Sequence, residues 1–139
     1  IKHQFDFNLQ IPSDLSKISD ASKLNLDFQE LLIVSDILVT DWSSCFFDYL
    51  LTGRPMMFHT YDLEDYLTHS RSMYYDIDEI LPGPRSKNSS EFAENLKSII
   101  DGEDDDFQIA RKEALSRFHE NVDDKSTERV VRRILEHLI

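Results

Sequence analysis

The sequence predicts an α/β fold with a parallel sheet flanked by helices, and three observations carry that prediction. Short apolar, β-branched runs alternate with segments of helical period. Successive apolar runs are separated by a helix-length stretch, as the right-handed crossover between parallel strands requires. Turn residues, Gly53 foremost, fall where one element gives way to the next.

The elements follow in chain order. In "LDFQELLIVSD", Asp27 stands as an N-cap with Glu30 three residues on, the spacing of a capping box, and Leu31, Leu32 and Val34 form an apolar side. A helix is expected there. "ILVT", residues 37–40, reads as a strand covered on both faces, because it is continuously apolar. "SSCFFDYLLTG" reads as a helix stopping at Gly53, since glycine readily takes the left-handed conformation that ends helices. "PMMFHT" is a second strand, and "YDLEDYLTHSRSMYYD" gives a short helix from Asp62 to about His69, then a loop carrying Arg71. "LPGPRSKNSS" is the strongest breaker in the chain. Ser89 or Ser90 can cap a helix with Phe92, Leu96, Ile99 and Ile100 on one side, ending at Gly102. "EDDD" at 103–106 suits the first turn of the next helix, where the macrodipole favours negative charge. Val130, Val131, Ile134, Leu135 and Leu138 make one face of a last helix, expected to pack against the rest. There is no internal repeat and no low-complexity linker.

At 139 residues the chain is expected to form a single domain spanning 1–139. It is 40% hydrophobic, and no apolar run approaches the roughly 18 residues of a membrane span. Fifteen Lys and Arg face 27 Asp and Glu, a formal charge of −12, which argues against general nucleic-acid binding because phosphate contacts need a basic footprint. Any anion must be held locally. The lone Cys45 cannot form an internal disulfide and has no CxxC partner, so a reducing compartment is expected, with no zinc site and Cys45 as a small buried hydrophobe. Ile1 in place of an initiating methionine, with no signal-peptide pattern after it, leads to the expectation of a piece of a longer protein.

In open α/β sheets, ligands collect beyond the carboxyl ends of the strands, where loops lead into helix N-termini. Asp41 to Ser44 occupy that place. Free backbone N–H groups and the positive end of the helix dipole suit a phosphate there, and the hydroxyls of Ser43 and Ser44 can add donors. Equally open is Ser43 as a plain N-cap. Asp41 would repel an anion unless engaged elsewhere, so it is expected to brace the turn. Arg71 is a candidate second cation, a fork-shaped donor whose loop could lie over the serines.

The run "SDILVTDWSSCFFDYLLTGRPMMFHTYDLEDYLTHSRSMYYDIDEILPGP", Ser35 to Pro84, strongly resembles the CDP-glycerol:poly(glycerophosphate) glycerophosphotransferase family, the teichoic acid polymerases. The shared pattern is a strand, Asp-aromatic-Ser-Ser, an aromatic-Asp-Tyr helix, a strand beginning at proline, Tyr-Asp-Leu-Glu-x-Tyr, an arginine loop and Pro-Gly-Pro. "IKHQFDFN" resembles the family's strand-end histidine. Trp42 stands where the family has tyrosine, Ser72 where glycine follows the arginine, and Gln4 where proline often follows the histidine.

The resemblance implies a Rossmann-like domain, the C-terminal half of a GT-B fold, whose partner N-terminal half is missing from this chain. It implies transfer of glycerol-phosphate or ribitol-phosphate from CDP-glycerol or CDP-ribitol to a lipid-linked wall teichoic acid or related polymer, releasing CMP. The expected setting is peripheral, on the cytoplasmic side of the cell membrane, with no cofactor and no metal. Carried over, Ser43 and Ser44 contact the donor diphosphate beside Asp41, Arg71 neutralises charge on the leaving CMP, and His3 binds phosphate or handles a proton. Asp41 and Asp48 match positions that are structural before catalytic. Pro82 and Gly83, with Pro84, would shape a cleft wall, and a simple turn between elements explains them equally well. His59 ends a strand and could approach the cleft, whereas His69, His119 and His137 fit helix surfaces or ends. Two other functions stay open on sequence: a GT-B glycosyltransferase using a nucleotide sugar, and a non-catalytic nucleotide- or phosphate-binding module.

Overall fold

A computed structural model of the chain describes residues 14, 17–69, 74–102 and 105–138. The expected site residues His3 and Arg71 lie outside the described residues. The chain divides into two compact units after Ser35. In the first, a 3-10 turn at Ala21–Lys23 precedes helix α1, Phe28–Val34. Its start is the expected capping box: the Glu30 amide donates to Asp27 Oδ1, and the Asp27 amide to Glu30 Oε2, each at 2.8 Å. Leu32 is buried, but Val34 is exposed, so the apolar side is narrower than its sequence pattern.

The second unit carries the sheet. Strand β1 (Leu38–Thr40) leads to helix α2 (Cys45–Tyr49), whose last turn tightens into a 3-10 stretch, Leu50–Thr52. Gly53 then ends it at φ 67°, the left-handed position expected for that residue. Strand β2 (Met56–His59), α3 (Leu63–His69), α4 (Ile77–Ile80) and β3 (Arg85–Ser86) follow, then α5 (Ser89–Ile100), α6 (Asp105–Phe118) and α7 (Ser126–Leu138). The sheet order is β1-β2-β3 and both pairings are parallel, with Leu38 beside Met56 and Phe58 beside Arg85. An α/β class with a parallel sheet and flanking helices is what the sequence predicts.

The central strand is the core. Met56, Met57 and Phe58 are fully buried, and Phe46 of α2 sets its ring edge-on to Phe58 at 5.5 Å, fixing helix to sheet. Gly83 passes so close to β2 that a Cβ there would stand 2.2 Å from the Met56 carbonyl oxygen. From outside, the ring of His119 at the end of α6 donates through Nε2 to the Phe47 carbonyl at 2.8 Å, and Phe118 packs edge-on to Phe47.

Four expectations are corrected. Strand β1 is not covered on both faces, because Val39 is 42% exposed. Inside "LPGPRSKNSS" lies β3, laid on β2 by backbone bonds: the Phe58 amide donates to the Pro84 carbonyl at 2.9 Å and the Thr60 amide to the Ser86 carbonyl at 2.8 Å. Two residues can pair without any apolar pattern. The cap of α5 is Asn88 rather than a serine, its Oδ1 accepting from the Ser90 and Glu91 amides at 3.0 Å each. Helix α7 does not bury the face it was expected to pack: Val130, Val131, Ile134, Leu135 and Leu138 are all exposed. Its start is instead tied by charge, with Asp123 accepting from the Lys125 amide at 2.9 Å and from Arg129 at 2.7 and 3.0 Å.

Two outcomes follow. Gly83→Ala is expected to destabilise the chain by about 2 kcal/mol through overpacking against rigid backbone, measured by urea unfolding; an unchanged midpoint contradicts the close approach. The Lys125 amide, helped by Arg129, holds the Asp123 carboxyl below its ordinary value of 3.8. A group depressed in the folded state adds stability that is present above the unfolded value and lost as pH falls through the folded one. An NMR titration of Asp123 should therefore show a midpoint below that of Asp123 in the urea-unfolded chain.

Candidate functional site

The turn that follows β1 is ordered by one carboxylate. Asp41 Oδ1 accepts from the Ser43 amide at 2.7 Å and lies 3.5 Å from the Thr40 hydroxyl. Its charge is thus engaged within the turn, the bracing expected of it. The Ser43 amide is committed to that carboxylate, but the amides of Ser44 and Cys45 have no acceptor among the described residues. Both serines are exposed, and neither hydroxyl has a hydrogen-bond partner among the described residues. Ser44, the residue before α2, has helical backbone angles and makes no side-chain capping bond. Capping therefore does not account for the pair. Two hydroxyls and two amides thus lie at the start of α2, beyond the carboxyl end of β1, where backbone N–H groups carry partial positive charge.

Packing carries this turn toward the next unit of the sheet. The Trp42 ring lies 4.7 Å from that of Tyr66 in α3. Trp42 thus spends its aromatic bulk on α3. That helix ends at His69, two residues short of Arg71 in the chain. Beneath the turn, burial pushes the pKa of Tyr49 up, with Asp36 adding to the shift and Arg54, Thr52 and Arg111 opposing it. The phenol stays neutral, so α2 brings no buried charge of its own to the site from that residue.

Pro82 and Gly83 are buried. Pro82 lines a cavity of about 370 Å³ together with Glu79, Glu113, Arg117 and Phe118, and the Arg117 guanidinium lies over the Tyr75 and Phe118 rings at 5.3 Å. Gly83 touches β2 backbone instead.

A second cavity, about 280 Å³, opens at the carboxyl ends of β2 and β3, between Thr60–Asp65 and Lys87. Lys87 pairs there with Glu64 at 3.6 Å. Next to it, His59 Nδ1 lies 2.9 Å from the hydroxyl of Ser86, which is wholly buried. Sequence reasoning missed Ser86 and Lys87, because their strand sits inside a Pro-Gly segment with no strand pattern; the polar residue closing each apolar run was the only available signal.

The removal of both hydroxyls, Ser43→Ala with Ser44→Ala, is expected to leave thermal stability within about 0.5 kcal/mol of the parent. A loss of about 1 kcal/mol or more would return the serines to capping.

Open parallel α/β sheets are the class of fold in which ligands collect beyond the carboxyl edge, and that edge here carries donors with no partner among the described residues. The chain belongs to the CDP-Glycerol:Poly(glycerophosphate) glycerophosphotransferase family, whose pattern matches residues 7–136. It is 38% identical over 109 residues to the teichoic acid poly(ribitol-phosphate) polymerase of Bacillus spizizenii, an alignment spanning 78% of this chain and 17% of that protein. It is 34% identical over 108 residues to the teichoic acid glycerol-phosphate transferase of Staphylococcus aureus, spanning 78% of this chain and 28% of that one. Among solved structures, a variant of the wall teichoic acid polymerase TagF superposes with a TM-score of 0.65 at 31% identity, over 94% of this chain and 33% of that chain. Another TagF variant, soaked with CDPG, superposes with a TM-score of 0.60 at 33% identity, over 86% and 30%. The chain thus spans between 17% and 33% of the length of these relatives.

Proposed function

We propose that residues 1–139 form the donor-binding, C-terminal Rossmann-like part of a GT-B transferase that moves glycerol-phosphate or ribitol-phosphate from a CDP-alditol to a lipid-linked wall teichoic acid or related polymer. One observation carries this reading: the hydroxyls and amides at the start of α2 have no partner among the described residues, and such donors suit the oxygens of a diphosphate. The bracing of Asp41 supports it, because the nearest carboxylate is already occupied by a backbone donor.

In the reaction, an acceptor hydroxyl oxygen bonds to the alditol-side phosphorus of the donor as the bond from that phosphorus to the bridging oxygen breaks. CMP leaves with the bridging oxygen and its electron pair, and the hydroxyl proton passes to a base. Ser43 and Ser44 hold the diphosphate, and Arg71 offsets the charge that grows on CMP. His3 binds phosphate or takes the proton. Gly83 packs at the Met56 end of β2, opposite the edge that carries Ser43 and Ser44, so Pro82 and Gly83 support the cleft only through the core beneath it. Half a cleft cannot align donor and acceptor, so this chain alone is expected to be catalytically silent and to need the N-terminal half carried by longer enzymes. No helix among the described residues is long and apolar enough to cross a membrane, and the proposed setting is a peripheral one at the cytoplasmic membrane face, where a lipid-linked acceptor is in reach.

The test is turnover by the protein joined to a family N-terminal half, with radiolabelled CDP-glycerol, CDP-ribitol and UDP-sugars. Label is expected to pass from a CDP-alditol to polymer, and Arg71→Ala should cut the rate at least 100-fold, about 2.7 kcal/mol of transition-state stabilisation. Turnover of UDP-sugars alone would overturn the reading, and an unchanged rate in Arg71→Ala would remove that residue from the site.

A further inference from the structure

His59 closes β2 one residue past the rung that pairs Thr40 with Phe58, so it stands beside the Asp41–Ser44 turn at the same carboxyl edge of the sheet. Its ring is held on three sides. Nδ1 lies 2.9 Å from Ser86 Oγ, the Tyr61 ring lies 5.2 Å away and tilted, and the Phe92 ring of α5 meets it edge-on at 5.3 Å.

The bonding of Ser86 sets the tautomer. Its side chain is wholly buried, and its hydroxyl donates to the Phe58 carbonyl at 3.4 Å. With that one proton given to the Phe58 carbonyl, the Ser86 oxygen accepts from His59, and Nδ1 carries the ring proton in this arrangement. Neutral His59 therefore keeps Nε2 as a bare acceptor, which has no partner among the described residues. A histidine serving only as core packing would need no fixed tautomer, and one at an aqueous surface would need no buried serine behind it. Tyr61, which flanks the ring, also lines the 280 Å³ cavity at the strand ends.

We propose that His59 is a substrate-contact residue whose Nε2 accepts a hydrogen bond from a hydroxyl of the CDP-alditol. This rests on the donor-site reading of the Asp41–Ser44 turn. A bare imidazole nitrogen discriminates between ligand groups, since it bonds a hydroxyl without change of protonation, whereas a phosphate oxygen would require it to gain a proton. His59 thereby reads the polyol or ribose portion of the donor, complementing the serines that take its charge.

The experiment is a long-range ¹H–¹⁵N NMR titration of the histidine rings of the whole chain with CDP-glycerol, CMP and inorganic pyrophosphate. CDP-glycerol is expected to shift His59 Nε2 while the neutral, Nδ1-protonated pattern persists, and pyrophosphate is expected to leave it in place. A shift with CMP as well assigns the ribose hydroxyls as the group bound, and a shift with CDP-glycerol alone assigns the glycerol. His59→Phe keeps the ring packing on Tyr61 and Phe92 while removing both nitrogens, and should weaken CDP-glycerol binding about tenfold, one hydrogen bond's worth. If the amides of residues 41–45 shift and His59 does not, or if pyrophosphate turns the ring to its imidazolium pattern, the proposal is wrong although the donor-site reading stands. If no amide of that turn shifts with any probe, the donor-site reading fails and takes this one with it.

Discussion

The bond from the Ser43 amide to the Asp41 carboxylate, 2.7 Å long, sets the geometry on which the proposed site depends. It fixes the chain reversal between β1 and α2, and so fixes where the following backbone donors point. It also decides the electrostatics. An acidic side chain in an acidic protein is a poor neighbour for a phosphate, and here a backbone donor offsets part of its charge. With Asp41 in place, the Ser43 and Ser44 hydroxyls have no hydrogen-bond partner among the described residues.

The rest of the second unit positions that turn. Phe46 in the first turn of α2 locks onto Phe58, and the close passage of Gly83 over Met56 lets the chain return to lay β3 beside β2. From outside, His119 and Phe118 of α6 hold Phe47. The helix that carries the turn is thus gripped from the sheet side and from α6, while the Trp42–Tyr66 contact ties the turn itself to α3. A short helix of poor intrinsic stability is kept in place by tertiary packing, which is how most helical stability in proteins arises.

The parts of this architecture that announce themselves locally were legible in the sequence. The capping box of Asp27 and Glu30, the stop at Gly53 and the apolar run of β2 are each set by residues within one turn or strand of where they act. What was not legible depends on distant partners. Strand β3 exists because β2 offers it a backbone ladder, and its own residues show no strand period. Asn88 outcompetes two serines for the α5 cap because its backbone is extended and its carbonyl reaches two amides. Val39 shows that an apolar run reports an appetite for burial without saying what supplies the cover, and α7 makes the same point on a larger scale, with a strongly amphipathic pattern and an exposed apolar face. At the site, Ser43, Ser44 and Asp41 were visible because they are contiguous. His59 and Ser86 were not visible as a pair, since 27 residues and a crossover separate them.

A crystal structure of the chain soaked with CDP-glycerol tests the central claim most directly. The account places the diphosphate against the hydroxyls of Ser43 and Ser44 and the amides of Ser44 and Cys45, with Asp41 still bonded to Ser43. A nucleotide bound at another surface, with that turn empty or its hydroxyls turned onto neighbouring protein groups, would contradict it.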